Sequence, residues 1–356
     1  MAVLDLVRPD LRGFGGYASA RRTQANGAIW LNANESPLPS PADASGKLNR
    51  YPEPQPQALR ARLADLYGVA PDALMVTRGS GECIDLLVRA FCRAGQDAVA
   101  IAPPTFGMYA VSARLQGAPL VEVPLRDTDA GWLLDTAALL DAVERNGVRI
   151  VFLCTPANPT AQALTIDEIR ALASALRDKA VLVIDEAYIE YSETGSATPL
   201  LPEFPGLVLL RTLSKAHALA GARIGALMAH PDLVALLRNL SAPYPIPAPS
   251  AALALAALSA DGVALARSRC ASTVAERLRV AAALQGLVAI RRIYLSQANF
   301  LLLRCVDADA SFAALLAAGV VVRDMRALPG LGDALRVSIG TAAENDAMLI
   351  ALGATP

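Results

Sequence analysis

Only two histidines occur in 356 residues, and the five cysteines, at positions 83, 92, 154, 270 and 305, are odd in number, scattered and without a Cys-x-x-Cys pair. This argues against a metal centre and against a disulfide framework. Neither sign of charge is in excess: 32 Lys plus Arg face 33 Asp plus Glu, which leaves no electrostatic footprint for nucleic acid or an acidic membrane. No apolar run approaches the ~20 residues needed to span a bilayer. The opening stretch "MAVLDLVRPDLRGFGG" carries Asp5 and Arg8 among its apolar residues and lacks a signal-type core. The expectation is a cytoplasmic protein with neither membrane nor nucleic-acid partners. Internal repeats and low-complexity tracts are also missing.

What is present is apolar surface: 54% of residues are hydrophobic and 18% charged, a balance shifted by alanine toward a core-rich, soluble and oligomeric protein. Strand and helix patterns alternate. "DALMVT" (72–77) reads as a strand, followed by the helical "GECIDLLVRAF" with Ile84, Leu87, Val88 and Phe91 on one stripe. "DAVAIAP", "PLVEVPL", "VRIVFLC", "AVLVID", "GLVLLR" and "RIGALMA" continue the strand series. A capping box from Thr165 to Glu168 opens one of the intervening helices. Strands apolar throughout are covered on both faces, so the expected fold is α/β, a mostly parallel sheet flanked by helices. "SAPYPIPAPS" (241–250) marks a border. The expected organisation is an N-terminal arm (1–28), a large domain (29–240) and a smaller α+β domain (241–356).

In open α/β sheets ligands gather beyond the carboxyl ends of the strands. Four polar groups fall at such ends: Ser80 with Gly81, Asn158, Asp185 and Lys215. A lysine there is a nucleophile once desolvation or nearby cations lower its pKa, and its natural target is the carbonyl of pyridoxal phosphate. That cofactor's ring nitrogen needs a carboxylate, which Asp185 supplies. Its phosphate needs a helix N-terminus and a cation, which "RGSGE", Ser214 and Arg223 supply. Taken singly, each feature also has an ordinary reading: a solvated lysine, a turn-capping aspartate, a routine helix start.

Together, "TLSKAHALAGARIG", "DEAYIEY", "CTPANPT" and "APPTFGMY" resemble the fold-type-I pyridoxal-phosphate aminotransferases. "WLNANESP", "NRYPEPQP", "RGSGECIDLLVRAFC", "SAPYPIP" and "LRVSIG" resemble their histidinol-phosphate branch, from about residue 10 to the C-terminus. The resemblance implies that Lys215 binds the cofactor covalently and shuttles the proton. It pairs Asp185 with the ring nitrogen and places Asn158 and Tyr188 on O3′. Phe106 stacks on the ring, and Ser80, Gly81, Glu82, Ser214, Arg223 and Tyr51 complete the cofactor site. Arg336 receives the glutamate carboxylate, while Tyr17, Asn34, Tyr51 and Arg323 meet the substrate. The implied substrates are histidinol phosphate and glutamate or 2-oxoglutarate, in two half-reactions and in a homodimer with shared sites. Gly81, Ala161 and His217 depart from the family pattern, and His217 reads better as a core histidine than as a catalytic one. Two other enzymes of the fold, an aromatic amino acid aminotransferase and a threonine-phosphate decarboxylase, remain alternatives. A non-catalytic regulator would carry a DNA-binding domain before "WLNANE", and no basic patch suggests one.

Overall fold

The computed structural model describes residues 3–17, 20 and 29–354; residues 1–2, 18–19 and 21–28 of the expected N-terminal arm lie outside the described residues. The chain runs α1 (Gln57–Tyr67), β1 (Leu74–Thr77), α2 (Ser80–Phe91), β2 (Ala98–Ile101), α3 (Met108–Gln116) and β3 (Leu120–Glu122). A hairpin of β4 (Arg126–Thr128) and β5 (Gly131–Leu133) follows, then α4 (Thr136–Arg145), β6 (Val148–Cys154), α5 (Ile166–Ala175) and β7 (Val181–Asp185). Next come β8 (Leu207–Thr212), β9 (Gly225–Met228) and α6 (Pro231–Leu240). The C-terminal part comprises α7 (Ala248–Ala257), α8 (Ala260–Leu284), β10 (Ile290–Ile293), β11 (Phe300–Cys305), α9 (Ala308–Ala317), β12 (Arg323–Asp324), β13 (Ala334–Ser338) and α10 (Ala342–Ala351).

Seven strands form one sheet in the order β1-β9-β8-β7-β6-β2-β3, parallel except for β9, which runs antiparallel to both of its neighbours. Its alternating side chains feed two apolar layers. Val181 and Val183 join Met75, Phe152 and Leu210 on one face, while Leu182 and Ile184 join Val76, Leu209 and Met228 on the other. Helices cover both layers, which explains why the strands read as continuous apolar runs. The first strand begins at Leu74, two residues later than the pattern suggests, because Pro71–Ala73 form a 3₁₀ turn with proline at its start. The capping box is formed: Thr165 accepts from the Glu168 amide and Glu168 accepts from the Thr165 amide.

The C-terminal part folds around a four-stranded antiparallel sheet, β10-β11-β13-β12. Its core joins Leu301, Leu303, Leu335 and Val337 to Val280 and Leu284 of α8 and to Leu315, Met348 and Leu349 of α9 and α10. By contrast, Ala251 and Ala254 of α7 and Val263 of α8 pack into the core of the large sheet. A smaller cluster of Ala161, Ala187, Tyr188, Ala216, Ala298 and Phe300 joins the loops of the large sheet to β11.

Candidate active site

Parallel strands β1, β8, β7 and β6 end at one edge of the large sheet, and β9 begins there. Gly225 pairs with both Thr77 and Thr212, and Asp185 pairs with Cys154. The loops that leave these positions carry the polar residues singled out in the sequence.

At the β1–α2 junction two glycines are required by geometry. Gly79 has φ +77°, and a Cβ there would lie 2.5 Å from Nη2 of Arg223. A Cβ on Gly225 would lie 2.5 Å from the Gly79 carbonyl carbon and 2.7 Å from the Ser80 nitrogen. The backbone of β9 thus touches the turn before α2, and the Arg223 guanidinium stands against the start of that helix. Ser80 is its first residue, and the amides of a helix's first turn have no partner within the helix. Arg223, itself at φ +56°, donates to the Ala220 carbonyl at 3.1 Å and reaches Ser214 Oγ at 3.5 Å. Thr212 fixes Ser214 by accepting from its amide at 3.1 Å and donating to its hydroxyl at 2.9 Å. Gly81 is open around its Cα. The Glu82 side chain is turned to Arg78, accepting from its amide at 2.7 Å and its guanidinium at 2.7 and 2.9 Å.

Asp185 closes β7 and is 2% exposed. Its Oδ2 accepts from the Tyr109 hydroxyl at 3.0 Å and its Oδ1 from the Ala187 amide at 3.2 Å. Burial outweighs both bonds and pushes its carboxyl up to about 6. Lys215 opens to the crevice with Nζ 5.6 Å from the centre of the Tyr188 ring. Partial burial, then the guanidinium groups of Arg336 and Arg223, hold its amine below the ordinary lysine value, while Asp185 pulls the other way.

Asn158 bridges the two parts of the fold. Its Nδ2 faces the Tyr188 hydroxyl at 3.5 Å and its Oδ1 accepts from Nη1 of Arg336 on β13. Arg336 also lies 5.1 Å over the Phe300 ring, and its Nε is buried without a partner among the described residues. Arg323 on β12 pairs in register with Arg336, and both line a cavity of about 700 Å³. Phe106 meets Tyr109 edge-on at 5.6 Å.

The structure therefore brings together Ser80, Gly81, Ser214 and Arg223 at one end of the crevice, Asp185 and Lys215 in its middle, and Asn158, Tyr188 and Arg336 at the other. Tyr17, Asn34 and Tyr51 are not joined to Lys215, Asn158 or Arg336 by hydrogen bonds or ring contacts. Tyr17 is 66% exposed, Asn34 is exposed with φ +55°, and Tyr51 stacks on Tyr244 at 4.6 Å. His217 lines a separate cavity of about 770 Å³ beside Tyr191 and Cys270, and burial lowers its pKa.

Sequence reasoning missed Tyr109, whose helical spacing marks it only as a core aromatic, and the network of Arg211 with Glu186 and Glu190. Arg211 spans the ends of β8 and β7, with contacts of 3.2 Å to Glu186 and 2.8 Å to Glu190. A buried-looking arginine at the end of an apolar strand was the available signal.

This arrangement of a lysine, a buried carboxylate and an anion cradle at the strand ends is that of an aminotransferase. The chain belongs to the aminotransferase class I and II family, which matches residues 21–352. Within it the chain falls in the histidinol-phosphate aminotransferase branch. It is 56% identical over 352 residues to the histidinol-phosphate aminotransferase of Stenotrophomonas maltophilia, covering 99% of this chain and 97% of that protein. With the enzyme of that name from Xanthomonas campestris it shares 55% over 351 residues, at the same coverage. The solved histidinol-phosphate aminotransferase of Sinorhizobium meliloti, a complex with pyridoxal 5′-phosphate, superposes with a TM-score of 0.76 at 27% identity, covering 90% of this chain and 88% of that one.

Proposed function

We infer that this protein is a pyridoxal-phosphate-dependent aminotransferase of histidine biosynthesis, converting L-histidinol phosphate and 2-oxoglutarate to imidazole acetol phosphate and L-glutamate. The observation that carries this is the 56% identity to a histidinol-phosphate aminotransferase along nearly the whole of both chains.

The residues present fit the cofactor. The glycine contact between β9 and the start of α2 leaves an anion cradle of helix amides, Ser214 and Arg223. A fully buried carboxylate, Asp185, has two donors among the described residues and suits a protonated ring nitrogen. Pyridoxal phosphate, when bound, supplies a carbonyl for amines and a ring that draws electrons from the substrate α-carbon.

The chain's own groups do the rest. Ser80, Gly81, Ser214 and Arg223 would hold the phosphate. Glu82, committed to Arg78, supports that loop. Asp185 would keep the proton on the ring nitrogen, Phe106 would pack on the ring, and Asn158 and Tyr188 would hold O3′. Lys215 would anchor the cofactor and, once released, would serve as the group that moves the α-proton, its amine held below the ordinary lysine value. Arg336, with a free buried Nε, receives the carboxylate of glutamate. Arg323, close by on β12, serves the phosphate of the alternative substrate, together with Tyr17, Asn34 and Tyr51. Two half-reactions on one site give ping-pong kinetics.

The protein works as a cytoplasmic homodimer in this reading. Exposed Ile29, Leu31, Leu38 and Tyr51 support the dimer, because apolar side chains gathered in one segment mark a contact surface. The test is a comparison of amino acceptors on glutamate-loaded enzyme. Imidazole acetol phosphate should be aminated far faster than phenylpyruvate, and the reverse preference would replace this assignment with an aromatic amino acid aminotransferase.

A further inference from the structure

Tyr109 is fully buried on α3, where its ring stacks on Phe152 of β6 at 4.8 Å and 6° and meets the edge of Phe106 at 5.6 Å. Packing of this kind needs only a phenylalanine. A hydroxyl buried among such neighbours costs free energy unless it has a partner, and this one has the carboxylate of Asp185 at 3.0 Å. Asp185 has one other donor, the Ala187 amide on its opposite oxygen. The phenol is therefore the only side-chain donor to a fully buried carboxylate among the described residues. It also links that carboxylate to Phe106, three positions earlier in the chain.

We propose that Tyr109 is the positioning residue of Asp185, fixing through its hydroxyl the carboxylate that partners the cofactor's ring nitrogen. This rests on the pyridoxal-phosphate reading above. The charged and titratable groups facing Asp185 are Cys83 from α2, Tyr109 from α3, Cys154 from β6, Glu186 and Tyr188 beyond β7, and Lys215 beyond β8. Burial raises the Asp185 carboxyl most, and the Tyr109 bond is the largest influence holding it down. Without the hydroxyl the carboxylate is held by one backbone amide, is freer to rotate, and takes up a proton at higher pH.

The test uses apoprotein and two ligands, pyridoxal phosphate and its analogue with carbon in place of the ring nitrogen, with binding followed by intrinsic fluorescence. Wild type should prefer the natural ligand. Tyr109→Phe should lose most of that preference, binding pyridoxal phosphate roughly ten- to a hundredfold more weakly, the range of one charge-assisted hydrogen bond, with little change for the analogue. The pH midpoint of pyridoxal-phosphate binding should also move upward from its wild-type position. Equal preference in variant and wild type, or equal weakening toward both ligands, overturns the proposal, because a packing role alone moves both together. A wild type without preference instead overturns the pairing of Asp185 with the ring nitrogen. In case Tyr109→Phe loosens the fold, the same substitution made in Asp185→Asn keeps the question open to decision. There the hydroxyl should contribute almost nothing to binding, and a loss as large as in the wild-type background counts against the proposal.

Discussion

Arg336 donates from Nη1 to the side-chain oxygen of Asn158, a bond between residues 178 positions apart that ties β13 to the loop after β6. Its fork is thus aimed by a residue of the large sheet, while Nε stays buried and unpartnered. Arg336→Lys keeps the charge but loses the planar fork and the hold of Asn158. Single-turnover amination with glutamate should show roughly ten- to a hundredfold weaker binding. An unchanged glutamate half-reaction would move the carboxylate site to another cation, with Arg323 the nearest candidate.

Asp185 is built for function at the expense of stability. Its carboxyl titrates near 6 in the folded chain against 3.8 as the ordinary value, so the folded state binds the proton more tightly. Stability is then lost as pH rises through this window, and above it the whole penalty is present, roughly 2–3 kcal/mol. Asp185→Asn removes the buried charge. The variant apoprotein should resist urea better than wild type at pH 8, with the advantage shrinking toward pH 4. Cofactor binding and turnover should fall at the same time. An advantage that does not depend on pH would show that the charge is not its source.

Much of this was legible in the sequence. Strand ends gave the positions of Asn158, Asp185 and Lys215, because an apolar run that stops at a polar residue marks the edge of a covered sheet. The small residues Gly79, Ser80 and Gly81 signalled a tight helix start, and the structure adds that Gly79 must be small for Arg223 to reach it and Gly225 for β9 to lie against it. The direction of β9 was not legible, since an apolar run has no polarity. The segment between β8 and β9 contains only the 3₁₀ turn Ala220–Ala222 in place of a crossover helix, which is what makes that pair antiparallel. Long-range pairs such as Tyr109 with Asp185 or Arg211 with Glu186 leave no spacing signal, because their partners lie on different elements.

Lys215 has competitors in Lys47 and Lys179. Lys179 is engaged in an ion pair with Glu144 at 2.6 Å, while the Lys215 amine is lowered by burial and two arginines. Borohydride treatment of holoenzyme should therefore fix the cofactor to the peptide containing Lys215 alone. Lys215→Ala should bind cofactor yet lose roughly a thousandfold or more in turnover, the scale of a missing acid–base group. Label on Lys47 or Lys179 would remove the basis of the assignment.

Tyr51 lies in the proline-rich "NRYPEPQP", pinned by Glu35, which accepts from the Tyr51 amide at 2.7 Å and from Arg50 at 2.8 Å. Its ring stacks on Tyr244, stays half exposed and makes no hydrogen bond or ring contact with Lys215 of its own chain. A two-fold dimer would bring each Tyr51 to the crevice of the other subunit, building two identical sites from both chains. Complementation separates this from a purely structural role. Tyr51→Ala and Lys215→Ala proteins, each inactive alone, are unfolded together and refolded as a mixture. A mixed dimer then has one site with both lesions and one with neither, since the intact Lys215 of one chain is completed by the intact Tyr51 of the other. Random pairing makes about half of the dimers mixed, each with one working site of two, so activity should return to about a quarter of the wild-type value. Mixed dimers that form, as shown by tagged co-purification, and remain inactive would place Tyr51 in its own chain's site or in none.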